Sequence, residues 1–595
     1  MVLCLLMLSG FSLYFPNFFT VSNAFTILLS MTAIGIAAFG SALLVISGNV
    51  DLSIGGIYAL TAVVTGLVAR DTQEPLLAIC VGIVGGGAIG YLNGNLVRAL
   101  KINPLIVTLA MAAILRGLAY LVSEARSVFG FPDPFVAVGR TSIGPVPLPV
   151  VIAGLVFIIG GYILLKTVVG LHIYAVGGNP VSARLAGIRT ERLVTNLFAI
   201  NGALVGLVAV LTVSRLGSAQ PSIGGAFELD VLTAVILGGI AFNGGAGHPL
   251  GVIIGVITIG SLNAGIIFAG VPDFWQQITR GLVLLLALGA DQFAVRRREK
   301  AHAPVTREDA PSAEPRSLAR PAPRTAADHA LGDVVIECRD LQKSYGYVAA
   351  VRSVSFSVRA GEIVCLVGDN GAGKSTVIKM LSGAVEADAG EILVDGQPVA
   401  VSSPADARRH GIETAYQDLA LCPNLGARYN LVLGSEPVRV PLGPFSIRDD
   451  QAAQRIAVGR LQQLGIVLDD DERPVRLLSG GQRQSVAIAR IAGEGVKVVI
   501  LDEPTAALGV KQTRNVLDLV RELARRGTAV ILISHDIDTV FEVGDRVVVL
   551  RLGRVVHEGP TQDLTPIDLV HLMAGLTVGL PGPAAPVTAA QGVPA

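Results

Sequence analysis

Gly368-Asp369-Asn370-Gly371-Ala372-Gly373-Lys374-Ser375 decides how the second half of this chain is read. Glu362-Ile363-Val364-Cys365-Leu366-Val367 precedes it as a short buried strand, and Thr376-Val377-Ile378-Lys379-Met380-Leu381 follows as the opening of a helix. A glycine loop at a strand-to-helix turn is the setting that phosphate cradling requires. Gly368, Gly371 and Gly373 let backbone N–H groups approach an anion without side-chain obstruction, with Asn370 between them. The helix N-terminus adds partial positive charge. Lys374 is expected to reach the β- and γ-phosphates of a nucleotide, the Ser375 hydroxyl to ligate Mg²⁺, and Thr376 to support it.

Working outward, Val498-Val499-Ile500-Leu501 reads as a second buried strand that ends in Asp502-Glu503. Asp502 suits a Mg²⁺ shell. Glu503 is then placed to polarise the attacking water. His535, in Leu532-Ile533-Ser534-His535-Asp536 after the strand Ala529-Val530-Ile531, ends a strand expected to run parallel to the carboxylate strand and is placed to contact the γ-phosphate. Gln417, in Thr414-Ala415-Tyr416-Gln417-Asp418, is the expected bridge between Mg²⁺, water and the membrane half. Leu478-Ser479-Gly480-Gly481-Gln482 lies between the two nucleotide-site motifs.

The first half is different material. Up to Asp291 the chain holds 22 of its 92 charged side chains, and the whole has a mean hydropathy of +0.62. A membrane half joined to a soluble half explains that asymmetry. The formal net charge is zero, so nothing suggests nucleic acid as a partner. The five cysteines (Cys4, Cys80, Cys338, Cys365, Cys422) lack metal-ligand spacing and fit a reducing cytosol. Met1 to Tyr14 lacks the basic start and cleavage site of a signal peptide and reads as a short first span, or as a truncated or misassigned start.

A span needs about 20 apolar residues. Candidates lie near 1–14, 24–47, 53–70, 75–97, 105–123, 149–169, 195–214, 230–246, 248–269 and 275–291, which makes ten. Inner segments would then hold Arg98, Lys101, Lys166, Arg184, Arg189, Arg192 and the Arg296–Lys300 cluster, while outer ones hold Arg70, Arg126, Arg140 and Arg215. That positive-inside bias supports an even count. Gly82, Gly85, Gly86, Gly87, Gly90 and Gly94, all within one span, are expected to serve close helix packing, with a hinge or a substrate path as the alternative. Asp51 is either an intramembrane functional carboxylate or the cap of the next helix.

Ser47-Gly48-Asn49-Val50-Asp51-Leu52-Ser53-Ile54-Gly55-Gly56 resembles a stretch of the ribose/fructose-type bacterial sugar permeases. Val176-Gly177-Gly178-Asn179-Pro180 with Ala183-Arg184-Leu185-Ala186-Gly187-Ile188 is similar to a loop of the same family, and Val235–Gly239 with Gly244, Gly245 and Gly251 to its later spans. The resemblance implies import of a monosaccharide or similar polar solute. It also implies that residues 176–188, including Gly178, Asn179, Arg184, Leu185 and Gly187, form a cytoplasmic coupling loop. An ordinary solvated loop is the competing reading.

The expected domains are 1–294 (an all-α polytopic permease), 295–332 (a Pro/Ala/Arg linker), 333–575 (an α/β P-loop NTPase with a helical subdomain) and 576–595 (a tail). Linker and tail compositions cannot bury a core.

The second half resembles an ATP-binding cassette domain. That resemblance implies that Tyr345 stacks on adenine, Gln417 is a sensor and His535 a switch histidine. It also implies that Ser479, Gly480, Gly481 and Gln482 act in trans, closing over ATP held by another copy's Lys374. One position departs from the family: Gly509 follows Ala506-Ala507-Leu508 where the family usually carries Asp, and this removes a group expected to couple two ATP sites.

Together these readings imply an ATP- and Mg²⁺-dependent, multi-pass importer in the bacterial inner membrane, with its ATPase in the cytoplasm. Its expected partners are a second copy of the chain, an extracytoplasmic solute-binding protein, the lipid bilayer and a monosaccharide. The alternatives are a half-exporter of a small molecule, or a translation or repair ATPase fused to unrelated sequence.

Overall fold

The computed structural model describes residues 20–268, 270, 272–301, 331–416, 419–468, 470–493, 495–506 and 508–576. The chain forms two compact units. One comprises residues up to Pro311 with Leu421–Gly459 and Leu468–Leu478; the other comprises Ser312–Ala420, Arg460–Val467 and the residues from Ser479 onward.

The first unit begins with α1 (Val21–Ile46), α2 (Ile54–Thr72), α3 (Pro75–Leu100), α4 (Pro104–Val122) and the short α5 (Asp133–Arg140). It continues with α6 (Leu148–Lys166), α7 (Val168–Gly178), α8 (Pro180–Leu185), α9 (Thr190–Leu216), α10 (Phe227–Leu237), α11 (Pro249–Phe268) and α12 (Asp273–Ala301). Prolines at the starts of α3, α4 and α6 set the first turn where no N–H partner is needed.

Seven helices among the described residues (α1, α2, α3, α4, α6, α9 and α11) are long and apolar enough to cross a membrane. Among the described residues, seven spans stand where ten were expected. Residues 1–14 lie outside the described residues. The expected span 230–246 is interrupted: α10 has 11 residues, about 16 Å of rise against a hydrocarbon core of about 30 Å. It stops where Gly239, Gly244, Gly245 and Gly247 all take positive φ. The expected span 275–291 lies within α12, whose described stretch Gly281–Ala290 is apolar. Helix-forming Arg296-Arg297-Arg298-Glu299-Lys300 carries α12 to Ala301, so the start of the expected linker is helical.

Burial sorts the spans. α1, α2 and α9 are 83%, 67% and 72% buried and form the centre, whereas α3, α4 and α6, at about a fifth, present their apolar faces outward. The α3–α9 contact rests on glycine. A methyl at Gly86 would collide with the carbonyl oxygen of Gly202, one at Gly90 with that of Phe198, and one at Gly206 with that of Gly82. Nothing lies near Gly85. The i, i+4 stripe on one face therefore sets helix separation, as small residues do where lipid supplies no apolar drive. Asp51 is buried. Its Oδ1 accepts from the Ser53 N–H at 2.9 Å and the Ser53 hydroxyl at 2.6 Å, and its Oδ2 accepts from Asn201 at 3.2 Å. It thus organises the start of α2 and ties it to α9.

The second unit is built on a ten-stranded sheet: β1 (Val334–Tyr345), β2 (Val348–Arg359), β3 (Ile363–Val367), β4 (Ala389–Val394), β5 (Gln397–Val399), β6 (Ile412–Ala415), β7 (Val498–Asp502), β8 (Ala529–Ile533), β9 (Arg546–Arg551) and β10 (Arg554–Pro560). The order is β5-β4-β1-β2-β10-β9-β3-β8-β7-β6. Strands β9, β3, β8, β7 and β6 run parallel, and β1, β2, β4 and β5 form an antiparallel wing. β3 and β8 are buried along their whole length, which explains their unbroken apolar runs.

Candidate nucleotide site and docking face

Register brings the nucleotide motifs together. Leu366 of β3 pairs with Ile533 of β8, which pairs with Asp502 of β7. The glycine loop, His535 and the two carboxylates therefore leave three adjacent parallel strands at the same level, the carboxyl edge where α/β sheets bind ligands. Gly368, Gly371 and Gly373 have φ of +150°, +85° and +106°. A side chain at Gly368 would run into the Leu550 carbonyl, and one at Gly373 into that of Ala350, so the loop needs glycine there for space as well as for torsion. The helix α13 (Lys374–Leu381) starts directly behind the loop, with Ser375 and Thr376 in its first turn.

Lys374 is buried, and its ammonium donates to the carbonyls of Gly368 and of Asp369, the latter at 3.0 Å. Burial pulls its pKa below the usual lysine value, against the opposing charges of Glu503, Asp369 and Asp502. Burial raises Asp502 above the usual carboxylate range, and adjacent Glu503 raises it further, while Lys374 and Lys379 pull it down. Two carboxylates and a lysine within one another's fields are a charge arrangement typical of functional sites.

Glu503 has φ +50°, a left-handed conformation for a residue with a side chain, and its N–H is fixed to the Ile533 carbonyl at 3.0 Å. Strain of this kind persists where the surroundings hold it. The His535 Nδ1 lies 3.0 Å from Glu503 Oε1. Gln417 lies outside the described residues. Tyr345, at the end of β1, is half exposed. Ser479 caps the helix α14 (Gly480–Ile491): its hydroxyl accepts from Gln482 N–H at 3.2 Å, and Gln482 Oε1 accepts from Ser479 N–H at 3.0 Å. Gly480 and Gly481 form its first turn. At Gly509, where the expected aspartate is missing, the backbone N–H donates to Gln512 Oε1 at 3.3 Å.

Fit to Mg²⁺ can be judged from the donors. The Ser375 hydroxyl and the Asp502 carboxylate are hard oxygens on neighbouring elements, and Mg²⁺ is commonly bound by one or two carboxylates together with substrate phosphates. No cluster of three or more His, Cys, Asp or Glu occurs among the described residues, so no all-protein metal cage competes.

The first unit contains a second assembly. α7 ends at Gly178, and Asn179 caps α8, its Oδ1 accepting from Val181 and Ser182 N–H at 3.0 Å each. Gly187 turns the chain at φ +89°. Ala183, Ala186 and Ile188 are buried in one apolar cluster with Leu171, Ala175 and Val176 of α7 and with Cys422, Leu425 and Leu433. Leu185 is half-buried. Arg184 is exposed beside Glu191 at 3.5 Å.

Further contacts join α6 and α7 to the segment after Leu421, and sequence reading missed them. The Asn424 amide donates to the carbonyls of Tyr174 (2.9 Å) and Gly245 (2.8 Å). His172 Nε2 meets Glu436 Oε1 at 2.9 Å. A hairpin (Val438–Val440 with Ile447–Arg448) bridges to Thr167, and Arg448 donates to the Leu165 carbonyl at 2.9 Å. A glycine junction closes the assembly: Gly245 N–H donates to the Ile46 carbonyl at 2.7 Å, and Gly48, Gly177, Gly178 and Gly244 pack backbone to backbone around it.

Comparison with known proteins reflects both halves. The family described as "Branched-chain amino acid transport system / permease component" matches residues 23–288, and the family described as "ABC transporter" matches residues 351–506. The Fructose import ATP-binding protein FrcA of Rhizobium meliloti is 47% identical over 245 residues, covering 40% of this chain and 94% of that protein. The chain belongs to the ABC transporter family. The Ribose import permease protein RbsC of Escherichia coli K12 is 36% identical over 280 residues, covering 46% of this ABC transporter and 87% of that permease. The L-arabinose ABC transporter permease protein AraH of Azospirillum brasilense is 36% identical over 289 residues, 49% and 85% of the two chains. The transporter is thus a multi-pass membrane protein with a cytoplasmic ATPase, permease and cassette in one polypeptide, and it couples ATP hydrolysis to transport.

Proposed function

We propose that this transporter imports a monosaccharide of the ribose, fructose or xylose kind across a bacterial inner membrane, delivered by an extracytoplasmic solute-binding protein. Relatives of both halves are named for sugar import, which favours import over a half-exporter. The observation that carries the engine is the level carboxyl edge of β3, β8 and β7, with Glu503 and His535 in contact. In this reading the glycine loop and Lys374 bind the phosphates, and Ser375 and Asp502 hold Mg²⁺ together with Gln417. Mg²⁺ would supply neutralisation of the phosphate charge. Glu503 orients a water and draws its proton as the water attacks the γ-phosphorus, whose bond to the bridging oxygen breaks so that ADP leaves with that electron pair and phosphate is released. His535 holds the Glu503 carboxylate and reaches towards the γ-phosphate.

The functional form is a two-fold homodimer, since one permease and one cassette are each half of a transporter. Ser479, Gly480, Gly481 and Gln482 of one copy close over ATP bound by the other, with Tyr345 against adenine. Residues 176–188 couple hydrolysis to the permease. The domain limits 1–294, 295–332, 333–575 and 576–595 remain part of this proposal. The test is uptake of labelled monosaccharide into proteoliposomes with the binding protein outside the solute-receiving face and ATP on the cassette side. Uptake requiring both supports the reading; ATP-driven movement in the opposite direction refutes it.

A further inference from the structure

The membrane helix α6 stops at the level where a bilayer's hydrocarbon stops. Its 19 residues rise about 28 Å, close to a hydrocarbon core of about 30 Å. It is only 17% buried within the chain, and Leu155, Ile158, Ile159 and Tyr162 stand exposed along it. Tyr162 and Lys166, four residues apart, are both exposed, and Lys166 closes the last turn. An aromatic hydroxyl and a long cationic side chain are the groups that settle at a membrane–water boundary. Lys166 therefore marks the edge of the hydrocarbon.

The hairpin that follows Leu421 is fastened at that edge. Val168 N–H donates to the Ser446 carbonyl at 3.0 Å, Ile447 bridges to Thr167, and Arg448 donates to the Leu165 carbonyl at 2.9 Å. The hairpin lies in the stretch matched by the ABC transporter family, residues 351–506, so the edge is the cytoplasmic one. Its tip, Val440-Pro441-Leu442-Gly443-Pro444-Phe445, is exposed at every residue and carries no charge. Leu442 is 58% and Phe445 48% exposed. The tip is held in shape: the Ser446 hydroxyl accepts from Leu442 N–H at 3.0 Å and donates to the Gly443 carbonyl at 2.7 Å. Gly443 supplies the positive φ, +62°, that the turn requires. Large apolar side chains held outward by a fixed turn mark a contact surface.

Position identifies the partner. Phe445 directly precedes Ser446, so their Cα atoms are about 3.8 Å apart. The headgroup layer is roughly 5–7 Å deep on each side of the hydrocarbon. The tip thus begins inside that layer, beside a helix whose outward face is apolar. Charge agrees. Arg439, next to the tip, and Lys166 are exposed. The acidic side chains of the segment are engaged elsewhere: Glu436 with His172 at 2.9 Å, Asp449 with the Ala452 N–H at 2.9 Å, and Asp450 with Arg448 at 3.3 Å. An apolar tip with cations at its base suits a lipid surface, and anionic headgroups most of all.

We propose that residues 440–445 are an interfacial anchor that beds in the cytoplasmic headgroup layer beside α6 and prefers anionic lipid. The anchor holds whichever solute the transporter carries and in whichever direction.

The chain has one tryptophan, Trp275. Full-length protein carrying Trp275→Phe with Phe445→Trp, or with Leu442→Trp, therefore reports on the tip alone in proteoliposomes. Phosphatidylcholine brominated near the headgroup end of its acyl chains should lower the emission at least twofold from one or both positions. Replacing about a third of the lipid by phosphatidylglycerol should strengthen that quenching, and Arg439→Gln should remove the gain. If neither tryptophan is quenched twofold by brominated lipid, the anchor is overturned. Aqueous acrylamide then tells what replaces it: strong quenching places the tip in water, and protection places it under protein, such as a second copy of the chain. Quenching that ignores phosphatidylglycerol overturns the preference for anionic lipid.

Discussion

Asn424→Leu tests whether the contacts between α7 and the Leu421–Leu433 segment transmit work. The Asn424 amide donates to Tyr174 O at 2.9 Å and Gly245 O at 2.8 Å. Leucine fills the same volume and donates nothing. An acceptor left unsatisfied in a sheltered site costs about 1–3 kcal/mol. Tyr174 lies inside α7, where its carbonyl also has the helix's own N–H within reach, so the lower figure applies there. The pair then costs about 2–4 kcal/mol, or roughly 30- to 900-fold in the docking equilibrium. The assay is ATP consumed per solute moved in proteoliposomes, alongside the melting temperature of the solubilised chain. Hydrolysis should continue while the ratio of ATP to solute rises at least tenfold. Asn424→Asp, which also lacks the donor, should behave alike. A ratio within twofold of wild type for both variants would refute the view that these two bonds carry coupling.

Three further outcomes are expected. Gly86→Val should separate α3 from α9, because its side chain meets the Gly202 backbone, which cannot rotate away; the solubilised chain should lose about 2 kcal/mol or more. An unchanged melting temperature would count against the glycine stripe as the spacer. Glu503→Gln should trap bound ATP with hydrolysis abolished, and normal turnover would remove Glu503 from its role as base. Because burial and Glu503 both raise Asp502 above 3.8, Mg²⁺-dependent ATP binding should fade as pH drops through that raised value, with the carboxylate needed ionised above it. In Glu503→Gln one of those causes is gone, so the acid limb should move to lower pH; a limb that stays put or moves up would contradict the assigned cause.

The nucleotide site was legible because its chemistry is local. A glycine loop after an apolar strand, and two carboxylates after another, each announce a strand's carboxyl end, and parallel register does the rest. The glycines between 82 and 94 likewise announced close packing, but that Gly82, Gly86, Gly90 and Gly94 share the face against α9 became visible only in the structure. The span count failed because hydropathy records composition and not continuity. Residues 230–246 are mostly apolar, with Asp230, Thr233 and Asn243 as the exceptions, yet backbone turns at Gly239, Gly244 and Gly245 end α10 after 11 residues. The docking contacts escaped for a different reason. Asn424 and Tyr174 are 250 positions apart, and His172 and Glu436 are 264 apart. Nothing in either local stretch marks its partner, and an asparagine or a histidine alone reads as an ordinary polar residue. Of the two readings of Asp51, the structure bears on the one at the helix start: the carboxylate accepts from Ser53, just before α2, and also from Asn201 of α9.

The glycine junction has a mechanical consequence. Where Gly48, Gly177, Gly178, Gly244 and Gly245 meet, main chain bears directly on main chain. Under the proposed coupling role, such a junction has no rotamers in which to lose a stroke: a displacement arriving at Asn424 would be handed to the ends of α1 and α10 almost undiminished. The same stiffness leaves no cushion for error, so even one added methyl there would jam the linkage.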